Sequence, residues 1–179
     1  YNLIRSTYQG GVYPVNPAAA EILGKPCFAD VSEVPDPVEL AVSVVTAPQT
    51  PAVLEACGKR GIKGVTIISG GFKEVGGEGL LLEKQCLEIA ERYGMRLIGP
   101  NCVGLMSLHS GLNTTFIHGV PDTGGIGFLS QSGAVCGGVI DFLLGKKVGF
   151  SHFLSLGNEA DVTETDIMEY LIVRPLYER

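Results

Sequence analysis

The chain has 179 residues, 45% of them hydrophobic, enough to bury one good core or two modest ones. Thirteen basic against 19 acidic residues give a net charge of -6 with no run of like charges, which argues against nucleic acid as a partner. An anionic ligand must then be held by backbone amides, helix ends and a few cations.

The five cysteines, Cys27, Cys57, Cys86, Cys102 and Cys136, form no C-x-x-C pair and are odd in number. They read as reduced thiols of a cytoplasmic protein rather than a disulfide frame or a zinc site, and no metal is expected. No apolar run approaches the roughly 20 residues of a membrane span, and no signal peptide is evident.

The chain opens in what reads as the tail of a helix over residues 2–8, so a preceding part is expected. A short strand is predicted at 12–15, a longer β-branched one at 39–45, and two more at 64–68 and 96–98. Helices are predicted at 51–59 and 78–93. In the second, Leu82, Cys86, Ile89 or Ala90, and Tyr93 recur at helical spacing, with Glu83, Lys84, Glu88, Glu91 and Arg92 on the other side and Gly94 as the stop. After an expected connecting loop at 100–123 the alternation resumes: strand 125–129, helix 133–144, strand 149–155 and a helix from about Thr163. Strands alternating with helices imply the doubly wound α/β class, a parallel sheet covered by helices.

In such a sheet, ligands bind at the carboxyl ends of the strands. Those ends are Thr46-Ala-Pro-Gln-Thr-Pro51, Ser69-Gly-Gly-Phe-Lys73 and Gly99-Pro-Asn-Cys102. One small, polar turn is only what any tight connection requires, whereas three in succession on one edge favour a binding floor. Thr50 is expected to cap the helix after the first turn, with Pro51 in its first position. A second signal is the helix start at Ser132. Its first turn, Gly133 to Cys136, carries no charged side chain, so its amides are free to seat a phosphate or another anion. The helices at 78 and 164 begin with their own acids and need no ligand. His109, His118 and His152 stand alone and read as surface or loop residues, and Cys102 as structural. Lys73 is the one cation beside the proposed edge.

Six motifs carry a resemblance: Tyr13-Pro-Val-Asn-Pro17, Val45-Thr-Ala-Pro48, Ile68-Ser-Gly-Gly-Phe-Lys73, Gly99-Pro-Asn-Cys-Val-Gly104, Ile126-Gly-Phe-Leu-Ser-Gln-Ser-Gly133 and Ser155-Leu-Gly-Asn-Glu-Ala-Asp-Val162. In this order they resemble the nucleoside-diphosphate-forming acyl-CoA synthetases, a group that includes ADP-forming acetate-CoA ligases and the α subunit of succinyl-CoA ligase. The resemblance implies a Rossmann-like CoA-binding domain over residues 1–121, lacking its first βα unit. It also implies the first part of a flavodoxin-like ligase domain over 122–179. Val15, Asn16 and Pro17 would lie near the nucleotide portion of CoA, and Val45, Thr46 and Pro48 against its adenine or pantetheine. Ile68, Ser69 and Gly70 would follow the pantetheine arm, and Asn101 the reactive end. Ser130, Gln131, Ser132 and Gly133 would face the travelling phosphoryl group, with Asn158 and Asp161 in a loop near the same centre.

The implied activity is formation of an acyl-CoA from an acid such as acetate, CoA and ATP, through an acyl phosphate and a phosphohistidine. None of the three histidines here matches the phosphorylated one. ATP, ADP and Mg2+ would belong to an ATP-grasp subunit or domain, and an oligomer is expected. Gly137, where succinyl-CoA ligase has a tyrosine, fits the acetate-type branch. Residues 170–179 follow no pattern of that family. The alternatives are an acyl-CoA-sensing regulatory module, as in acetyltransferase fusions, and an NAD-binding Rossmann domain, whose fingerprint is not visible here.

Overall fold

Parallel strands joined by helices organise both halves of the chain in this computed structural model, which describes residues 1–173. The first half begins with a short helix, α1 (Asn2–Arg5), and a hairpin of β1 (Glu21–Ile22) and β2 (Lys25–Pro26). The strand expected at 12–15 is absent: Val15 makes only an isolated bridge to Phe28. The hairpin escapes sequence reading because its turn places Leu23 (φ 52°) and Gly24 (φ 78°) in left-handed backbone, a geometry usually signalled by Asn-Gly.

The first sheet is parallel throughout, in the order β3 (Leu40–Ser43), β4 (Gly64–Ile67), β5 (Arg96–Ile98). Helices α2 (Thr50–Arg60) and α3 (Gly77–Tyr93) make its crossovers, each stopped by a left-handed glycine, Gly61 and Gly94. Val65, Thr66 and Ile67 of the central strand are all buried, and Leu54, Cys57, Phe72, Cys86, Ile89 and Leu97 complete the core. Truncating a fully buried residue such as Leu54 to alanine costs about 2–5 kcal/mol.

Two expectations are corrected here. Thr50 does not cap α2: a 3-10 turn (Ala47–Gln49) precedes the helix, and the buried Thr50 hydroxyl donates back to the Thr46 carbonyl at 3.2 Å. Glu83, expected on the solvent side of α3, is buried at 5% exposure. Its carboxylate is tolerated there because Lys73 Nζ lies 3.5 Å away and two N–H donors reach it.

The second sheet is mixed, in the order β7 (Leu112–Asn113), β6 (Leu105–Ser107), β9 (Gly149–Ser155), β8 (Asp122–Ser130). Strands β8 and β9 are parallel, while β6 runs antiparallel to β9, and β7 to β6. The segment expected as a connecting loop therefore supplies two strands. Helix α4 (Gly133–Leu143) packs Cys136 and Ile140 against Met106, Phe150 and Phe153, and Phe128 stacks on Phe153 at 4.5 Å. Helix α5 (Glu164–Val173) starts with reciprocal bonds between Thr163 and Asp166. The expectation for residues 170–179 falls largely outside the described residues.

The loop between β9 and α5 joins the two halves. Asn158, Ala160 and Val162 donate backbone N–H bonds to the carbonyls of Pro100, Gly99 and Leu97 at 2.8, 3.0 and 3.1 Å. Asp161 accepts from the Leu97 amide at 2.7 Å and pairs with Arg96, which also reaches Asp166. Among the described residues no helix is long and apolar enough to cross a membrane.

Candidate functional site

The parallel register of β3, β4 and β5 brings their three carboxyl ends to one edge, where two open clefts lie. The first, of about 500 Å³, is lined by the turn after β3 (Val44, Thr46, Ala47, Pro48), the turn after β4 (Ser69, Gly70, Gly71) and the start of α3 (Gly79, Leu82). The second, of about 560 Å³, is lined by Ile68, Asn101, Cys102 and Val103 on one side and by Gln131, Ser132, Gly133 and Ala134 on the other. Ile68 and Ser69 are consecutive, so the turn after β4 forms part of both clefts.

The first cleft offers shape and apolar surface. The Ser69 hydroxyl donates to the Val45 carbonyl and so ties two strand ends together. Glu74 accepts from the amides of Gly71 and Phe72. Burial raises the Glu74 carboxyl, but bonds from Asn158, Gly71 and Phe72 outweigh it and hold the group below the usual carboxylate range. Gly79 must be glycine, since a methyl there would collide with the Phe72 carbonyl oxygen. The remaining surface, Val44, Ala47, Pro48, Val75 and Leu82, is apolar and suits a flat or extended ligand.

The second cleft offers amides. Ser132 caps α4 by accepting from the Val135 amide at 3.3 Å, and the Cys136 amide bonds the Ser132 carbonyl. Among the described residues no acceptor meets the amides of Gly133 and Ala134. They open toward the cleft with the positive end of the helix behind them. A methyl on Gly133 would come within 2.9 Å of Val103, so glycine sets the close approach of this helix start to the first half.

Other candidates fall differently. Gln131 borders the second cleft, but its amide donates to Glu159 (2.7 Å) and Glu164 (2.8 Å) and is not offered to an anion. Burial, with Glu164 beside it, pushes the Glu159 carboxyl up, while bonds to Glu159 and Gln131 lower that of Glu164. Ser130 bonds the Ser132 backbone and does not line the cleft. The side chain of Val45 is replaced in the cleft wall by its neighbour Val44, 73% exposed. Val15, Asn16 and Pro17 line neither cleft; Asn16 instead accepts from the Ala18 amide within its own turn. Lys73 pairs with Glu83. Cys102 is buried, its thiol donates to the Ile67 carbonyl, and burial pushes its pKa up to about 11.

Sequence reasoning missed Val44, Val103 and Phe116 as cleft residues and the Glu74–Glu83–Asn158 cluster. Strand alternation alone would have turned Val44 outward once Ser43 points in. Glu74 and Glu83 come together with Asn158 only across 84 and 75 positions of sequence, and no local signal announces that meeting.

Residues 1–107 match the CoA binding domain family, and residues 123–177 the succinyl-CoA ligase like flavodoxin domain. The chain is 46% identical over 164 residues to an ADP-forming acetate-CoA ligase I of Archaeoglobus fulgidus, covering 92% of this chain and 24% of that protein. It is 48% identical over 165 residues to the α subunit of an ADP-forming acetate-CoA ligase II of Pyrococcus furiosus, covering 92% of this chain and 36% of the subunit. The solved structure of a dinucleotide forming acetyl-coenzyme A synthetase 1 of Candidatus Korarchaeum cryptofilum, in complex with phosphate and ADP, superposes with a TM-score of 0.93. Identity there is 37%, over 98% of this chain and 37% of that one. The chain thus spans from 24% to 37% of the length of these relatives. With both halves matched in order, the chain belongs to the NDP-forming acyl-CoA synthetase family, of which it carries the CoA-binding domain and succinyl-CoA-ligase-like flavodoxin sequence.

Proposed function

We propose that this chain is the CoA-binding and phosphate-handling portion of an ADP-forming acyl-CoA ligase acting on acetate or a similar small acid. The observation that carries the reading is the second cleft, where Asn101, at the end of the CoA-side floor, faces the open amides of Gly133 and Ala134. CoA would lie along Thr46, Pro48, Ser69 and Gly70 with its thiol reaching Asn101. When the thiol sulfur attacks the acyl carbon of an acyl phosphate, a C–S bond forms, the C–O bond to phosphate breaks, and the thiol proton is released. Phosphate leaves as an anion onto the helix start, which stabilises it without a charged side chain.

The acyl phosphate forms in the preceding step, when a histidine already phosphorylated by ATP gives its phosphoryl group to the acid: the P–N bond breaks as a P–O bond to the carboxylate forms, and the histidine is freed for the next ATP. ADP, ATP and Mg2+ belong, in this reading, to an ATP-grasp domain or partner subunit in an oligomer. A separate subunit is favoured by the P. furiosus relative, which is itself an α subunit. The Korarchaeum synthetase, solved in complex with phosphate and ADP, supports the same chemistry. A cytoplasmic setting accords with the free cysteines.

Calorimetry with CoA, acetyl-CoA and NAD tests the reading. CoA and acetyl-CoA are expected to bind in the micromolar range and NAD not at all. Preference for NAD, or no binding of CoA, overturns it.

A further inference from the structure

Asn158 lines neither cleft, yet it sits where both halves meet the end of the binding floor. Its side-chain NH2 donates to Glu74 Oε2 at 2.6 Å and Glu83 Oε2 at 2.9 Å. Ionised carboxylates only accept, so this end of the amide is fixed, and the Asn158 carbonyl oxygen must point the other way. There it accepts from Asn101 Nδ2 at 3.3 Å. The Asn101 amide group thus has one of its two side-chain N–H donors fixed on Asn158, which sets which end of the amide faces the loop. Its Oδ1 is turned to the floor, 3.1 Å from where a methyl on Gly70 would stand. The backbone is held as firmly: Asn101 adopts φ 58°, and its amide donates to the Ser69 carbonyl at 2.9 Å.

We infer that Asn158 is a positioning residue that transmits the polarity of the Glu74–Glu83 pair to Asn101, so that the cleft presents a hydrogen-bond acceptor to a donor on the ligand. The inference rests on the CoA reading above. CoA carries two such donors at its reactive end, the thiol S–H and the terminal pantetheine amide N–H. An acceptor at this place orients either of them toward the helix start at Ser132. Such a relay also accounts for the burial of Glu83, whose charge is otherwise a cost inside the first core.

The test compares CoA with desulfo-CoA, which lacks the thiol, by calorimetry on the full chain. Asn158→Ala frees Asn101 to turn and is expected to weaken CoA about tenfold, the scale of one misoriented hydrogen bond. Asn158→Asp combined with Glu74→Gln and Glu83→Gln reverses both donors but keeps an acceptor facing Asn101. The amides introduced at positions 74 and 83 then donate to the carboxylate introduced at position 158, which still accepts from Asn101. This triple variant is expected to restore CoA affinity to within about threefold of wild type. If Asn158→Ala does not fold, Asn158→Asp alone, measured against the triple variant, carries the same comparison. With restoration, desulfo-CoA identifies the donor: the thiol if it binds Asn158→Ala as it binds wild type, the amide N–H if it weakens in parallel. Wild-type affinity in Asn158→Ala, or failure of the folded triple variant to restore, overturns the relay while leaving CoA binding intact. Absence of CoA binding by the wild type overturns the functional reading and the relay together.

Discussion

The two clefts arise from the same unit, a strand running through a small-residue turn into a helix, yet they leave different chemistry in the open. Around the first, the turn's polar groups are consumed internally: the Ser69 hydroxyl by Val45, and the amides of Gly71 and Phe72 by Glu74. What remains exposed is apolar surface and close-approaching backbone. Around the second, the cap is spent on one amide and two more stay open. The difference teaches that a turn is tuned less by which residues it contains than by which of its donors find partners within the chain. A neutral, extended arm is held by shape, and a transferring anion by unspent amides.

The most severe way to break the comparison is to separate the two clefts. Gly157 has φ 58°, and a methyl there would collide with the carbonyl oxygens of Pro100 and Asn101. Gly157→Ala is expected to cost about 2–4 kcal/mol in thermal or denaturant unfolding and to impair both ligands together. An effect under about 0.5 kcal/mol would show that the seam between the halves is soft. Next, Ser132→Ala removes the cap and should cost about 1 kcal/mol of stability, read by denaturant unfolding, without changing CoA affinity.

Smaller effects concern charge and thiols. Thr163, by its backbone and hydroxyl, and then Arg96 hold the Asp166 carboxyl down at about 2, against an ordinary 3.8. Because the folded value is depressed, its contribution to the seam is whole above about pH 4 and disappears as pH falls through about 2. Asp166→Asn should flatten the acid limb of stability over that window and leave neutral pH nearly unchanged. Burial pushes the thiols of Cys57 to about 11, Cys86 to about 12 and Cys102 to about 11. Alkylation of the native protein should therefore label Cys27 first, and these three only on unfolding. Rapid labelling of Cys102 in the native state would mean that the second cleft opens to its floor.

Much of the fold was legible because periodicity and punctuation agree. The strands at 64–67, 96–98 and 149–155 and the helix stop at Gly94 follow local pattern and glycine chemistry. The Ser132 helix start was legible because capping is a local event. Strands β6 and β7 were hidden, since two or three residues carry too little alternation; β6 is held by pairing with the distant β9, and β7 only adds to the edge of β6. The burial of Glu83 was hidden for the same reason: its partner Asn158 arrives from the other half of the chain. What escaped at β6 and Glu83 is what tertiary contact decides, whereas the β1–β2 hairpin escaped through its unusual Leu23-Gly24 turn.

The central claim is that the two clefts bind different parts of one reaction. Measuring CoA and inorganic phosphate affinities in Val44→Asp and Ser132→Asp tests it most directly. Val44→Asp places a charge on the apolar floor and is expected to weaken CoA about tenfold while sparing phosphate. Ser132→Asp places a negative charge at the helix start and is expected to weaken phosphate by more than about tenfold while leaving CoA within about twofold. Equal damage to both ligands in both variants would contradict the division.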